Sequence, residues 1–279
     1  MNNSYANKQQ VQKAREAFIF LSNLDNLSKN KILHDLAKSL RENYKKILRE
    51  NSKDLIGAKK MMLNGEITES ITKRLLLNEE KIEQMANNCE SVASLPDPSG
   101  KLLQATILDE GLKLHQVSCP IGVILMIFES RPEVVIQISA LALKSGNAVI
   151  LKGGKESQNS NKFLTELVRK ILKNNNVPEN SVCLLESRDE VNELLKMSTE
   201  LDLIIPRGSN EMVQHIQDNA KVPVLGHADG ICHVFLDENA DEAKSIEVTL
   251  DSKLDYPSVC NASETLIVHA NFPDKILAD

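Results

Sequence analysis

Cys260 is the residue best suited to act as a nucleophile. It lies in the segment DYPSVCN (255–261), which follows a stretch with helical character and precedes a strand-like run that ends at His269. A thiol on a turn between two elements can face a substrate while its neighbours stay packed, and it has a small thiolate fraction at neutral pH. Simple packing is the alternative, because free cysteines are among the most buried residues.

Two strand-to-helix turns, 151–157 and 206–210, concentrate glycine and basic residues. Each follows a presumed parallel strand, and open α/β sheets bind ligands at the carboxyl ends of such strands. Glycine lets a phosphate approach the backbone, the amides that open a helix point at it, and lysine or arginine neutralises it. Neither turn is a P-loop and the pattern GxGxxG is absent, so ordinary turns with solvated charges are the alternative.

A third turn, Glu129-Ser130-Arg131-Pro132, directly follows the apolar run 121–128. Arg131 could hold a substrate carboxylate through paired N–H donors. The alternative is a local ion pair that caps the following helix.

The composition excludes several classes of function. The chain has 279 residues, 42% of them apolar, and a net charge of −6 without a basic block, which argues against nucleic acid as a partner. The longest apolar run is far shorter than the ~20 residues of a membrane span, and the polar start lacks a signal peptide, so a cytoplasmic protein without a membrane partner is expected.

The five cysteines are scattered and should be reduced. The one cluster that resembles a metal site is His227, Cys232 and His233. A metal is not expected there, because Cys232 and His233 are adjacent in sequence and would face opposite sides of a strand.

The elements that must position these residues differ along the chain. The first hundred residues read as helices. One long helix is capped by Ser28 and has an apolar face from Ile32 to Leu48, and another begins at about Asn78 and ends before Leu95. The stretch 102–117 reads as a β-hairpin around Glu110 and Gly111. Strands and helices then alternate, which predicts a parallel sheet. The strands are 121–128, 148–151, 182–185 and 201–205, and the helices 132–143, 157–173, 189–197 and 209–220.

A second α/β unit is predicted to contain Cys260. It comprises a strand at 231–236, a helix at about 241–252 and a strand at 265–269.

Seven segments, in this order, resemble the γ-glutamyl phosphate reductase family, also called glutamate-5-semialdehyde dehydrogenase. They equally resemble the reductase half of bifunctional pyrroline-5-carboxylate synthase, and both belong to the aldehyde dehydrogenase superfamily. The segments are CPIGVI (119–124), IFESRP (127–132), ALALKSGN (140–147), LKGGKE (151–156), DLIIPRGS (202–209), PVLGH (223–227) and DYPSVCN (255–261).

The resemblance implies an aldehyde dehydrogenase-like α/β fold, with a helical N-terminal region and a parallel-sheet cofactor domain over residues 1–225. A hairpin near 102–118 would contribute to a homo-oligomer. Residues 226–279 would begin an α/β catalytic domain that is incomplete, because family chains continue beyond Asp279. A fragment, a shortened isoform and a partial gene model are all open.

The resemblance further implies NADPH-dependent reduction of γ-glutamyl phosphate to glutamate 5-semialdehyde in proline biosynthesis, through a thioester on Cys260, with a glutamate 5-kinase as a partner enzyme. The implied cofactor contacts are Lys152, Gly153, Gly154, Lys155, Glu156, Arg207, Gly208 and Ser209. The implied substrate contacts are Glu129, Ser130, Arg131, His227 and Asn261.

Two features separate this sequence from the wider superfamily. Aldehyde-oxidising relatives carry a glutamate before Leu-Gly-Gly that activates water, whereas Val224 precedes Leu225 and Gly226 here, and valine cannot act as a base. The oxyanion asparagine also has no clear counterpart. An aldehyde-oxidising dehydrogenase and a non-catalytic remnant that acts through nucleotide binding or assembly remain the alternatives.

Overall fold

The computed structural model describes residues 2–185, 188–197, 199–226, 230–257 and 259–273. The chain divides into two units, Met1–Gly226 and His227–Asp279. The first unit contains all the loops singled out above except the segment around Cys260. That segment belongs to the second unit.

The first unit begins with five helices and a hairpin. They are α1 (Asn2–Leu21), α2 (Asn26–Glu42), α3 (Tyr44–Leu63), α4 (Glu69–Leu75), α5 (Glu79–Ser94), β1 (Leu102–Asp109) and β2 (Leu112–Val117). The hairpin is confirmed, and Thr106 pairs with Leu114 in an antiparallel register. Nearly every residue of both strands is exposed, including Ile107 at 75%.

The prediction of one long helix through Leu48 is wrong, because the chain breaks at Asn43 between α2 and α3. The Asn43 side chain donates to the Ser39 carbonyl oxygen at 2.9 Å and so satisfies the end of α2. The predicted cap is also wrong. Asp25 caps α2, and its carboxylate accepts from the Ser28 amide at 2.9 Å. The spacing of apolar residues by three and four continues across the break from Ile32 to Leu48, so periodicity alone did not reveal it.

A parallel four-stranded sheet forms the rest of the first unit, as the alternating pattern predicted. The elements are β3 (Val123–Phe128), α6 (Glu133–Lys144), β4 (Ala148–Lys152), α7 (Gln158–Asn174), β5 (Val182–Leu184), α8 (Arg188–Leu194), β6 (Leu203–Arg207) and α9 (Asn210–Asn219). All of β3 and β4 is buried, as expected for strands covered on both faces.

The strand order β5-β4-β3-β6 creates a switch point in the sheet. The chain runs outward from β3 through β4 to β5 and then places β6 on the other side of β3. Ligands bind α/β sheets beyond the carboxyl ends of the strands at such a point. The turns after β3, β4 and β6 are therefore the candidate binding turns of this unit.

The second unit contains a strand, a helix and a strand, which confirms the predicted order. They are β7 (Cys232–Leu236), α10 (Glu242–Leu254) and β8 (Ser263–Val268), and the two strands pair in parallel. Asp241 caps α10 by accepting from the Lys244 amide at 2.9 Å. Within the described part of the chain, no helix has the length and apolar character needed to cross a bilayer.

Candidate active site

A cleft of about 450 Å³ opens at the carboxyl ends of the sheet strands in the first unit. The turns after β3, β4 and β6 line it, together with the end of β3, α8, the residue after α8, and α9. Helix α9 contributes the polar side chains of Glu211 and His215 as well as apolar ones. A cavity of this size with apolar walls and a few polar groups is typical of small-molecule sites. Its lining includes Glu129, Lys152, Lys155, Ser209, Leu195 and Ile216.

The two helices that begin at this cleft edge have different N-termini. Asp54 of α3, which is 4% exposed, accepts from the amides of Asn159 at 3.0 Å and Ser160 at 2.8 Å. These amides belong to the first turn of α7. A carboxylate from the same chain therefore already neutralises these two amides, which leaves them unavailable to a phosphate.

Helix α9 presents its N-terminus to the cleft instead. Its cap, Ser209, is exposed, lines the cleft and accepts from the Met212 amide at 3.4 Å. Arg207 and Gly208, which precede Ser209, are exposed as well. A helix N-terminus preceded by an arginine is a suitable place for an anion.

The glycines after β4 have a packing role that the sequence did not reveal. A Cβ on Gly153 would overlap the side-chain amide of Asn161, and a Cβ on Gly154 would overlap the carboxylate of Glu156. Lys152 is buried and its ammonium donates to the Gly153 carbonyl oxygen, whereas Lys155 is exposed. Of the two lysines in this turn, Lys155 is therefore the more exposed to solvent.

The turn after β3 is held by the turn after β4. Ser130 is 3% exposed and has a backbone φ of 47°, in the left-handed region that few non-glycine residues adopt. Its amide and its hydroxyl both donate to one oxygen of Glu156, at 3.0 and 2.7 Å. Glu156, expected to contact the cofactor, thus has a partner within the protein. Arg131 is half-buried, and Glu129 is exposed.

In the second unit, Cys260 is exposed on the turn between α10 and β8. Its carbonyl oxygen accepts from the Cys232 thiol at 3.4 Å, and Gly230 passes so close that a Cβ there would overlap this oxygen. Asn261 is exposed beside it. His227 lies outside the described residues.

Burial separates Cys89 and Cys183 of the first unit from Cys260. Desolvation raises the pKa of Cys89 to about 12 and that of Cys183 to about 11, so both are neutral thiols at physiological pH. Cys119 is exposed, and Cys232 is half-buried. Over the described ranges, no three His, Cys, Asp or Glu side chains are grouped to hold a metal ion.

A second cleft, of about 350 Å³, lies beside Cys119 and Pro120, before β3. Its lining is apolar or uncharged and includes Ile121, Ile138 and Leu141. It offers no charged group to a phosphate or a carboxylate, so the cleft at the carboxyl ends of the strands is the better candidate.

Comparison with known proteins agrees with this architecture. Residues 3–279 match the model of the aldehyde dehydrogenase family. The chain belongs to the aldehyde dehydrogenase family. The predicted aldehyde dehydrogenase-like α/β fold is confirmed.

Several relatives within the family carry a more specific name. A protein named γ-glutamyl phosphate reductase from Brachyspira hyodysenteriae is 46% identical over 268 residues, which cover 96% of this chain and 62% of the relative. The crystal structure of γ-glutamyl phosphate reductase from Thermotoga maritima has a TM-score of 0.88 and 39% identity, covering 95% of this chain and 63% of that one. The corresponding Saccharomyces cerevisiae structure has a TM-score of 0.74 and 42% identity, covering 100% and 69%. The chain thus spans about 60% of the length of the curated relatives it matches.

Sequence reasoning missed Asp54 at the start of α7 and the α9 side chains that line the cleft. Asp54 lies more than a hundred positions before the amides it binds, and no local pattern signals that pairing. Met212, His215 and Ile216 line the cleft from α9. Their helical spacing was a usable signal, because side chains three and four positions apart share one face.

Proposed function

We propose that this chain carries the dinucleotide-binding unit and the nucleophile of a reductase that converts γ-glutamyl phosphate to glutamate 5-semialdehyde and phosphate, in proline biosynthesis. The observation that carries the proposal is the exposed Cys260 on the turn before β8, in a chain 46% identical to a protein named γ-glutamyl phosphate reductase. The proposal includes NADPH as the reductant and a reducing, cytoplasmic location, where a free thiol persists.

The cleft of the first unit fits a dinucleotide. The exposed Ser209 cap and Arg207 suit the pyrophosphate, and the exposed Lys155 suits a ribose phosphate. The apolar side chains of Leu195 and Ile216 suit the adenine ring. In this proposal, Lys152, Gly153, Gly154 and Gly208 shape the same cofactor site.

The two charged groups of the substrate would each bind a residue of opposite charge. Arg131 can hold the α-carboxylate with two N–H donors, and Glu129 can hold the α-ammonium group. The proposal keeps His227 and Asn261 as further substrate contacts. Ser130, whose amide and hydroxyl both donate to Glu156, contributes by holding the turn that carries Glu129 and Arg131.

Cys260 performs the covalent step in this proposal. Its sulfur bonds to the γ-carbonyl carbon, the carbon–oxygen bond to phosphate breaks, and phosphate leaves with the electron pair. NADPH supplies the hydride that reduces the resulting thioester to the aldehyde. The Cys260 sulfur then leaves the carbon with its bonding pair and is restored as thiolate.

Val224 supports reduction over aldehyde oxidation. It is half-buried and forms a parallel bridge with Ile204, at a position where oxidising relatives carry a base. An apolar side chain there activates no water, so the thioester is left for phosphate or hydride.

The experiment is the reverse reaction, measured as NADP⁺ reduction with glutamate 5-semialdehyde and phosphate. Cys260→Ala should abolish turnover, and Cys119→Ser, which changes another exposed cysteine, should leave it unchanged. Full activity of Cys260→Ala would refute the assignment. Steady oxidation of simple aldehydes with NAD⁺ and without phosphate would instead favour a dehydrogenase.

A second candidate function is assembly without turnover. The exposed apolar side chains of the β1–β2 hairpin, such as Leu103, Ile107 and Leu114, suit a homo-oligomer interface. NADPH binding without turnover, together with association in sedimentation experiments, would favour this alternative. A glutamate 5-kinase partner is a further part of the proposal, and co-sedimentation with that enzyme tests it.

A further inference from the structure

Glu156 connects two turns that the proposed function assigns to different ligands. The nucleotide loop (residues 152–157) begins at the last residue of β4, and the Ser130 turn (residues 129–131) follows β3. One Glu156 oxygen accepts from both the amide and the hydroxyl of Ser130, at 3.0 and 2.7 Å. Both donors belong to a residue that is 3% exposed.

The Ser130 turn needs such a partner. Ser130 has a φ of 47°, and non-glycine residues keep this conformation only where their surroundings impose it. Without Glu156, a buried N–H and a buried hydroxyl would lose their acceptor while the backbone strain remained. The turn would then relax and move both of its other residues.

The proposed function assigns both of those residues to the acyl substrate. Arg131 follows Ser130 and is the proposed carboxylate contact. Glu129 precedes it and lies against the turn after β6, where a Cβ on Gly208 would be 2.9 Å from the Glu129 carboxyl carbon. A shift of the Ser130 turn would therefore reach both the substrate contacts and the second cofactor turn.

Gly154 provides the space that Glu156 needs. A Cβ on Gly154 would overlap the Glu156 carboxylate, and Gly154 has a φ of −67°, which any residue can adopt. An alanine at this position would therefore displace the flexible end of Glu156 without straining the backbone.

We propose that Glu156 is a positioning residue that couples the nucleotide loop to the Ser130 turn, so that dinucleotide binding orders the contacts for the acyl substrate. The coupling rests on the proposed function. The positioning of Ser130 does not, and it can be measured on the chain without ligands.

Four variants test this proposal. Glu156→Ala removes the acceptor, Glu156→Gln keeps a side-chain oxygen that can accept from both donors, and Gly154→Ala pushes the carboxylate away. Glu166→Ala is the control, because Glu166 is an exposed carboxylate on α7, away from the turn. Circular dichroism verifies that each variant is folded.

The primary measurement is amide hydrogen exchange of the peptide that contains Ser130, in the ligand-free chain. Glu156→Ala and Gly154→Ala should accelerate its exchange about 10-fold or more, as loss of a buried acceptor implies. Glu156→Gln and Glu166→Ala should stay within about 3-fold of wild type, and Gly154→Ala should add little to Glu156→Ala, because both act on one contact. Wild-type exchange in Glu156→Ala, or equally fast exchange in Glu156→Gln, would overturn the positioning role.

The second measurement adds NADPH. In wild type, NADPH should slow the exchange at Ser130. In Glu156→Ala, NADPH should bind without slowing that exchange, and the KM of this variant for the acyl substrate should rise more than its Kd for NADPH. Equal protection in both proteins would overturn the coupling. A wild-type chain that does not bind NADPH would overturn the proposed function and the coupling, while the ligand-free exchange would still decide whether Glu156 holds the turn.

Discussion

Helices α7 and α9 begin at the same edge of the parallel sheet, each after a turn that contains glycine and a basic residue, yet their N-termini differ. The first amides of α7 are bound by the buried carboxylate of Asp54, and α9 begins at the exposed Ser209 in the cleft. The composition of such a turn therefore does not decide whether it can receive a phosphate. The partner that the rest of the chain brings to the helix N-terminus decides it.

The largest expected effect is on stability and comes from Asp54→Ala. The change leaves the buried amide of Ser160 and the partly buried amide of Asn159 without their carboxylate acceptor, and we expect it to lower the free energy of unfolding by about 2–4 kcal/mol. Urea unfolding followed by circular dichroism measures this, and Asp54→Asn, which retains one acceptor oxygen, should lose less. NADPH affinity should change little in a variant that still folds. A large loss of affinity with normal stability would contradict the closed N-terminus of α7.

The next largest effect is on NADPH binding and comes from a change beside the exposed N-terminus of α9. Arg207→Gln should weaken NADPH binding about 10-fold, because it removes a cation from the proposed pyrophosphate site, while unfolding stays unchanged. Lys170→Gln, at an exposed position on α7, is the matched control. Fluorescence titration at two salt concentrations measures both variants. Equal affinities for the two would show that the phosphates do not lie at α9.

The smallest effect concerns the choice between NADPH and NADH. Lys155 is exposed at the cleft, so Lys155→Gln should reduce the preference for NADPH by roughly 3- to 5-fold and leave NADH affinity nearly constant. The ratio of the two dissociation constants is the measurement. An unchanged ratio would remove Lys155 from the ribose phosphate site.

Much of the fold was predictable because local patterns specify it. The apolar runs gave the buried strands, and Glu110 with Gly111 marked the hairpin turn. The break at Asn43 was missed because the apolar face continues through it. The relation between Asp54 and α7 was missed for another reason, since it joins residues far apart in sequence.

The candidate site was predictable as a set of turns but not as a set of contacts. Glycine and basic residues indicated where ligands could bind. Nothing in the sequence showed that Gly154 accommodates Glu156, or that Glu156 holds Ser130 in a left-handed conformation. Those facts depend on how the turns after β3 and β4 meet in the folded chain.

The most direct test of the central claim is to trap the acyl group on the nucleophile. The chain is incubated with glutamate 5-semialdehyde and NADP⁺ without phosphate, so that a thioester cannot be released by phosphate, and the digested protein is analysed by mass spectrometry. The account predicts a glutamyl adduct on the peptide that contains Cys260, and its discharge when phosphate is added. An adduct on Cys119 instead, or NADP⁺ reduction without any adduct on Cys260, would contradict it.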